Sequence, residues 1–139
     1  MTAHETSPPD TPGILIVEDN PINMELVRDI LQAYGFRVRE AADGPSCLQA
    51  VQDEIPDLIL MDVQLPGMDG FAVTRRIKTH DAWRHVPVVA LTAYAMKGDR
   101  EKALSAGCSG VITKPIDTRA FAKQVETYLK GFSETLEDT

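Results

Sequence analysis

The feature that most constrains this chain is a set of short runs that are apolar at consecutive positions. Ile14-Leu15-Ile16-Val17, Leu58-Ile59-Leu60-Met61 and Val86-Pro87-Val88-Val89-Ala90-Leu91 are the clearest; a weaker run spans 36–41 and a short one 110–113. A strand without polar alternation must be covered on both faces. Between the runs, apolar residues recur at helical spacing. Leu26, Val27, Ile30, Leu31 and Tyr34 share a face, as do Leu48 with Val51, Val73 with Ile77, and Phe121 with Val125 and Leu129; a further helical stretch covers 96–106. Gly35, Gly107 and Gly131 stand where helices end, and Pro56 breaks the chain before the third run. Strand–helix alternation with two-sided strands predicts an α/β domain, a parallel sheet sandwiched by helices.

The length of 139 residues suits one domain. Residues 1–12 are polar, with prolines at 8, 9 and 12, and read as a disordered tail. The domain is expected over 13–131 and an acidic, frayed tail over 132–139. A net charge of −7 argues against electrostatic binding of nucleic acid. No apolar stretch approaches the roughly 20 residues of a membrane span, and the N-terminus lacks a signal-peptide pattern, so a cytoplasmic location is expected. Cys47 and Cys108 have no metal-ligand or disulfide spacing and read as reduced thiols, and His4, His80 and His85 form no cluster.

Parallel sheets bind ligands beyond the carboxyl ends of their strands. Four ends carry unusual residues: Glu18-Asp19, Asp62, Thr92-Ala93 and Lys114-Pro115. Singly, each has an ordinary explanation. Aspartates often follow strands, Glu18-Asp19 can charge and cap the helix that begins near Asn20-Pro21, Thr92 can be a loop hydroxyl and Lys114 a solvated lysine. Jointly they place several carboxylates and one ammonium at one edge. Carboxylates packed together raise one another's pKa unless a cation is present, and Mg2+ suits an all-oxygen ligand set that also reaches phosphate. A carboxylate beside such a cation and a lysine can attack phosphorus and form an aspartyl-phosphate, with Thr92 donating a hydrogen bond to the phosphoryl group. Pro66-Gly67 would turn the chain sharply after Asp62 and leave it open.

The motifs Ile16-Val17-Glu18-Asp19-Asn20, Leu60-Met61-Asp62-Val63-Gln64-Leu65-Pro66-Gly67-Met68-Asp69-Gly70, Ala90-Leu91-Thr92-Ala93 and Lys114-Pro115 make the chain resemble the response-regulator receiver domain of two-component signalling, over about residues 13–129. The resemblance implies a flavodoxin-like (βα)5 fold, doubly wound, with a five-stranded parallel sheet of order 2-1-3-4-5. It implies Asp62 as the phosphoacceptor. It implies Mg2+ held by Asp19, Asp62 and the backbone carbonyl of Gln64, with Glu18 acting mainly through water. Lys114 would pair with Asp62 and then with the phosphoryl group, after a cis peptide to Pro115. Thr92, with Ala93 beside it, would move on activation together with the segment to Gly107 and the fifth strand. The donor would be a histidine kinase or a histidine phosphotransfer protein, and the output a further protein. Many receivers carry an aromatic or histidine three residues before the lysine; here Val111 stands there, with no ring to swing. Either a loop shift carries the signal without a rotor, or Tyr94 supplies the aromatic. Tyr94 also flanks the approach of water to phosphorus, opposite Gln64, and would lengthen the phosphorylated lifetime.

In this family the first helix and the loop after the fifth strand dock the donor. Met24 falls off the apolar stripe of that helix and Ile22 at its margin, so Asn20, Ile22, Met24, Arg28 and Ile116 form the expected docking patch. Asn23, central in the stripe, is expected to hold a neighbouring loop. The leading reading is a single-domain switch that catalyses only its own phosphorylation and dephosphorylation. A receiver segment of a hybrid histidine kinase fits the same motifs. A Mg2+-dependent phosphohydrolase with an aspartyl nucleophile usually has a second Asp two residues on, where this chain has Gln64. A receiver that binds partners without phosphorylation sits poorly with the complete acid set.

Overall fold

The computed structural model describes residues 11–93 and 96–134; Tyr94, Ala95 and most of the expected tails over 1–12 and 132–139, namely 1–10 and 135–139, lie outside them. The chain runs β1 (Gly13–Val17), α1 (Pro21–Tyr34), β2 (Arg37–Ala41), α2 (Gly44–Asp53), β3 (Leu58–Asp62), α3 (Gly70–Lys78), β4 (Val88–Thr92), α4 (Lys97–Ala106), β5 (Gly110–Thr113) and α5 (Phe121–Leu129). All neighbouring strands pair parallel, in the order β2-β1-β3-β4-β5. This is the flavodoxin-like (βα)5 arrangement expected of the sequence.

The two faces of the sheet sort the strand residues by parity. Leu15, Val17, Ile59, Met61, Val88, Ala90 and Val111 pack with Cys47 and Val51 of α2, Val73 and Ile77 of α3, and Ala103 of α4. Ile14, Ile16, Leu58, Leu60, Val89, Leu91 and Ile112 pack with Met24, Val27 and Leu31 of α1 and with Phe121, Val125 and Tyr128 of α5. The consecutive apolar runs are therefore two interleaved cores. Both thiols lie in the first; burial pushes Cys47 up to about 12 and Cys108 up to about 11, which keeps them as unreactive thiols. No helix among the described residues is long and apolar enough to cross a membrane.

Three local expectations are corrected. The inward stripe of α1 is Met24, Val27 and Leu31, at spacings of three and four, whereas Leu26 is 43% exposed. β4 begins at Val88 because Pro87 has no N–H to give the ladder; its carbonyl accepts from Ile59 N at 2.9 Å. The sequence pattern starts the last helix at Asp117, but α5 begins at Phe121 because Asp117 organises a turn first: its carboxylate accepts from Arg119 N at 3.0 Å, and its carbonyl accepts from Ala120 N and Phe121 N at 3.0 and 2.9 Å.

α1 is aimed by its cap. The Asn20 side chain accepts from Ile22 N at 2.9 Å and Asn23 N at 3.1 Å, and Pro21 occupies the first helical position. Asn20→Ala is expected to cost about 1 kcal/mol, read as a lower midpoint in urea with unchanged slope, and Asn20→Asp should restore most of it.

Candidate functional site

The strand order reverses at β1, whose neighbours are β2 on one side and β3 on the other. Val17 is in register with Met61, so the next residues, Glu18 and Asp62, leave the sheet side by side. Asp62 pairs in register with Leu91, and Thr92 with Thr113, which sets Thr92 and Lys114 at the same edge. The residues that the sequence placed at four strand ends thus converge in space. Glu18, Asp62 and Thr92 are 3%, 4% and 5% exposed, while Asp19 is exposed.

Lys114 holds the cluster together. Its Nζ donates to Glu18 Oε1 and to Asp62 Oδ2, each at 3.0 Å. The Lys114–Pro115 peptide is cis, and Lys114 N donates to Thr92 O at 2.7 Å. Asn20 N donates to Glu18 Oε2 at 3.1 Å, and Gln64 N to Asp62 Oδ1 at 3.0 Å. Burial pushes the Glu18 carboxyl above its usual range and the neighbouring Asp62 adds to this, against the pull of Lys114. Burial alone would lower the Lys114 ammonium, but its hydrogen bonds to Glu18 and Asp62 outweigh that and hold it above the ordinary lysine range. One ammonium among Glu18, Asp19 and Asp62 leaves the site with excess negative charge. A ligand oxygen from each of these carboxylates lies within 4.8 Å of the others, a hard, all-oxygen donor set that fits a small divalent cation.

The expected docking residues do not form one surface. Ile22 is 78% exposed. Met24 is only 7% exposed: it sits on the core-facing side of α1 and reaches the surface only where it helps to line the Arg28 cleft. Arg28 lies in a cleft with Glu40 and Asp19 and donates to Glu40 Oε2 at 3.0 Å. Ile116, half-buried, lies in a different cleft of about 100 Å³ beside Lys114, Pro115, Asn23 and Leu26. Leu26 was missed because helical counting put it in the core stripe, whereas the buried residues of α1 are Met24, Val27 and Leu31. Asn23 borders the Pro115-Ile116 segment, the loop nearest to it in that cleft. Val111 is 8% exposed and packed with Ala103 of α4 in the first core.

The family model for the response regulator receiver domain matches residues 14–126. The polar-differentiation response regulator DivK of Brucella anthropi is 44% identical over 117 residues, covering 84% of this chain and 95% of DivK. Among solved structures, a receiver domain of a sensor histidine kinase from Pseudomonas aeruginosa, with magnesium coordinated in its active site cleft, is 36% identical with a TM-score of 0.80, covering 87% of this chain and 99% of that one. A chemotaxis response regulator of Vibrio cholerae is 26% identical with a TM-score of 0.81, covering 84% of this chain and 98% of that one. With its sheet order, its convergent acids and its lysine, the chain belongs to the response regulator receiver domain family of two-component signalling.

Proposed function

We propose that this receiver takes a phosphoryl group from a phosphohistidine onto Asp62 and stores it as a signal read by another protein. The observation that carries the reading is the Lys114 ammonium bridging two buried carboxylates, Glu18 and Asp62, at the open ends of β1 and β3. A carboxylate oxygen of Asp62 attacks phosphorus. The phosphorus–nitrogen bond of the donor breaks, and its electron pair returns to the imidazole nitrogen. As Asp62 gives up its charge to the acyl phosphate, Lys114 exchanges one carboxylate oxygen for a phosphoryl oxygen and remains paired with Glu18. Thr92, at the end of β4, donates its hydroxyl to the group, with Ala93 beside it. Erasure is attack of water on phosphorus, which breaks the bond to Asp62 and releases inorganic phosphate. Asp19, Asp62 and the Gln64 carbonyl would hold Mg2+, with Glu18 reaching it through water, and the ion would supply positive charge against the phosphoryl oxygens.

The unit responsible is residues 13–131, acting in the cytoplasm, with a histidine kinase or histidine phosphotransfer protein as donor. The alignment that covers nearly all of DivK supports a regulator built of the receiver alone. Incubating the protein with acetyl phosphate, with magnesium or with EDTA, and reading intact mass tests the chemistry. A single phosphoryl adduct, mapped to Asp62 and lost with EDTA, is expected. No adduct, or one mapped elsewhere, would sink the proposal.

The donor docks on apolar residues of α1 and the loop after β5, with the exposed Ile22 and Leu26 and the half-buried Ile116 at its centre. Ile22→Glu combined with Leu26→Glu is expected to slow transfer from a phosphohistidine protein tenfold or more, about 1.4 kcal/mol at the transition state, with acetyl phosphate labelling unchanged. Equal losses with both donors would argue against the surface.

A further inference from the structure

β5 is the last strand of the sheet, so among the described residues one of its edges has no strand partner. Open edges present unpaired backbone groups that recruit other chains unless something covers them. Here the cover comes from Glu134, five residues beyond the end of α5, in a segment whose sequence reads as a frayed tail. Glu134 N donates to Ser109 O at 2.7 Å, and Glu134 Oε2 accepts from Val111 N at 3.0 Å. One residue thus satisfies a carbonyl and an amide at the free edge, as a neighbouring strand would.

The carboxylate is also held from both flanks. Tyr128 of α5 donates its hydroxyl to Glu134 Oε2 at 2.7 Å. Burial pushes the Tyr128 phenol above its usual range, so it stays protonated and able to donate. Arg100 of α4 forms an ion pair with Glu134 Oε1. The Glu134 side chain is 15% exposed, unusual for a carboxylate beyond the last helix. Gly110 makes room for it: a β-carbon there would collide with Tyr128 Oη and Glu134 Oε2. Backbone amide, phenol and guanidinium from three elements converge on one carboxylate.

We propose that Glu134 is a latch. It clamps the C-terminal segment across the β5 edge between α4 and α5, closing that edge against other chains, and any partner that uses the edge has to displace it. The segment is an autoinhibitory strap built into the receiver.

Amide hydrogen exchange by NMR on the full chain tests this. Glu134→Gln, which keeps size and removes charge, is expected to speed exchange at Val111 about tenfold, as loss of a charge-assisted hydrogen bond should. Arg100→Gln should act in the same direction, and the double variant should exchange no faster than the Glu134→Gln single, because both open one latch. Amides of β1 and β3 should keep their wild-type rates, which excludes general unfolding. Unchanged exchange at Val111 in Glu134→Gln, or fully additive effects in the double variant, would overturn the latch.

Discussion

Asp62→Asn is expected to abolish the phosphoryl adduct, lowering labelling by acetyl phosphate about a thousandfold or more while leaving the domain folded. The two halves of this expectation have separate causes. The amide oxygen of asparagine is a poor nucleophile and carries no charge to be neutralised, so the chemistry goes. The fold has no such need of the charge. Asp62 accepts from Gln64 N on Oδ1 and from Lys114 Nζ on Oδ2, each at 3.0 Å, so the single amide oxygen of asparagine keeps one of these bonds and gives up the other. The substitution also relieves the repulsion that helps to raise the Glu18 carboxyl. Lys114 then serves one buried carboxylate instead of two, so the melting temperature should be equal to or above that of wild type. Intact mass and thermal melts on one preparation check both halves. An adduct that persists in a folded Asp62→Asn protein would show that another residue accepts the phosphoryl group. Loss of the adduct together with loss of the fold would show that Asp62 holds the structure up.

The outcome at Asp62 also explains why so much was legible in the sequence. An acid, a hydroxyl or a lysine at the end of an apolar strand is visible as a break in hydropathy, and parallel topology sends all such breaks to one edge. Glu18, Asp62, Thr92 and Lys114 were therefore readable together. The surface was less so. Met24 and Leu26 are two residues apart on one helix, and which of them turns inward depends on how α1 lies against Phe121 and Val125 of α5, a tertiary fact with no local signature. Glu134 was illegible for a stronger reason. An acidic residue after the last helix has the composition of a frayed tail, and what fixes it are donors from α4, β5 and α5, none near enough in sequence to form a pattern.

Gly70→Ala is expected to be the most damaging small substitution outside the acids. The glycine is the first residue of α3, and its N–H donates to Val63 O at 3.0 Å, so the helix starts directly behind the exit of β3. A β-carbon there would strike the Asp62 carbonyl oxygen and come within 2.9 Å of Met61 Cγ and of Val63 Cα. Two of these neighbours are backbone, which cannot rotate away. Relief requires the first turn of α3 to retreat from the sheet, and Val73 and Ile77, both fully buried, retreat with it. Overpacking of this kind costs about 3 kcal/mol, which for a domain of this size lowers the melting temperature by about 10 °C. Gly98→Ala is the matched control. Gly98 lies in α4 with nothing within 4 Å of its would-be β-carbon, so alanine there should hold or raise stability by up to about 1 kcal/mol. Because the displaced carbonyl belongs to Asp62, Gly70→Ala should also slow acetyl phosphate labelling at temperatures where the protein is still folded. Slower labelling without a lower melting point would mean that the strand end yields more easily than the helix. A lower melting point with labelling intact would mean that the helix moves and the strand end holds the phosphoacceptor in place.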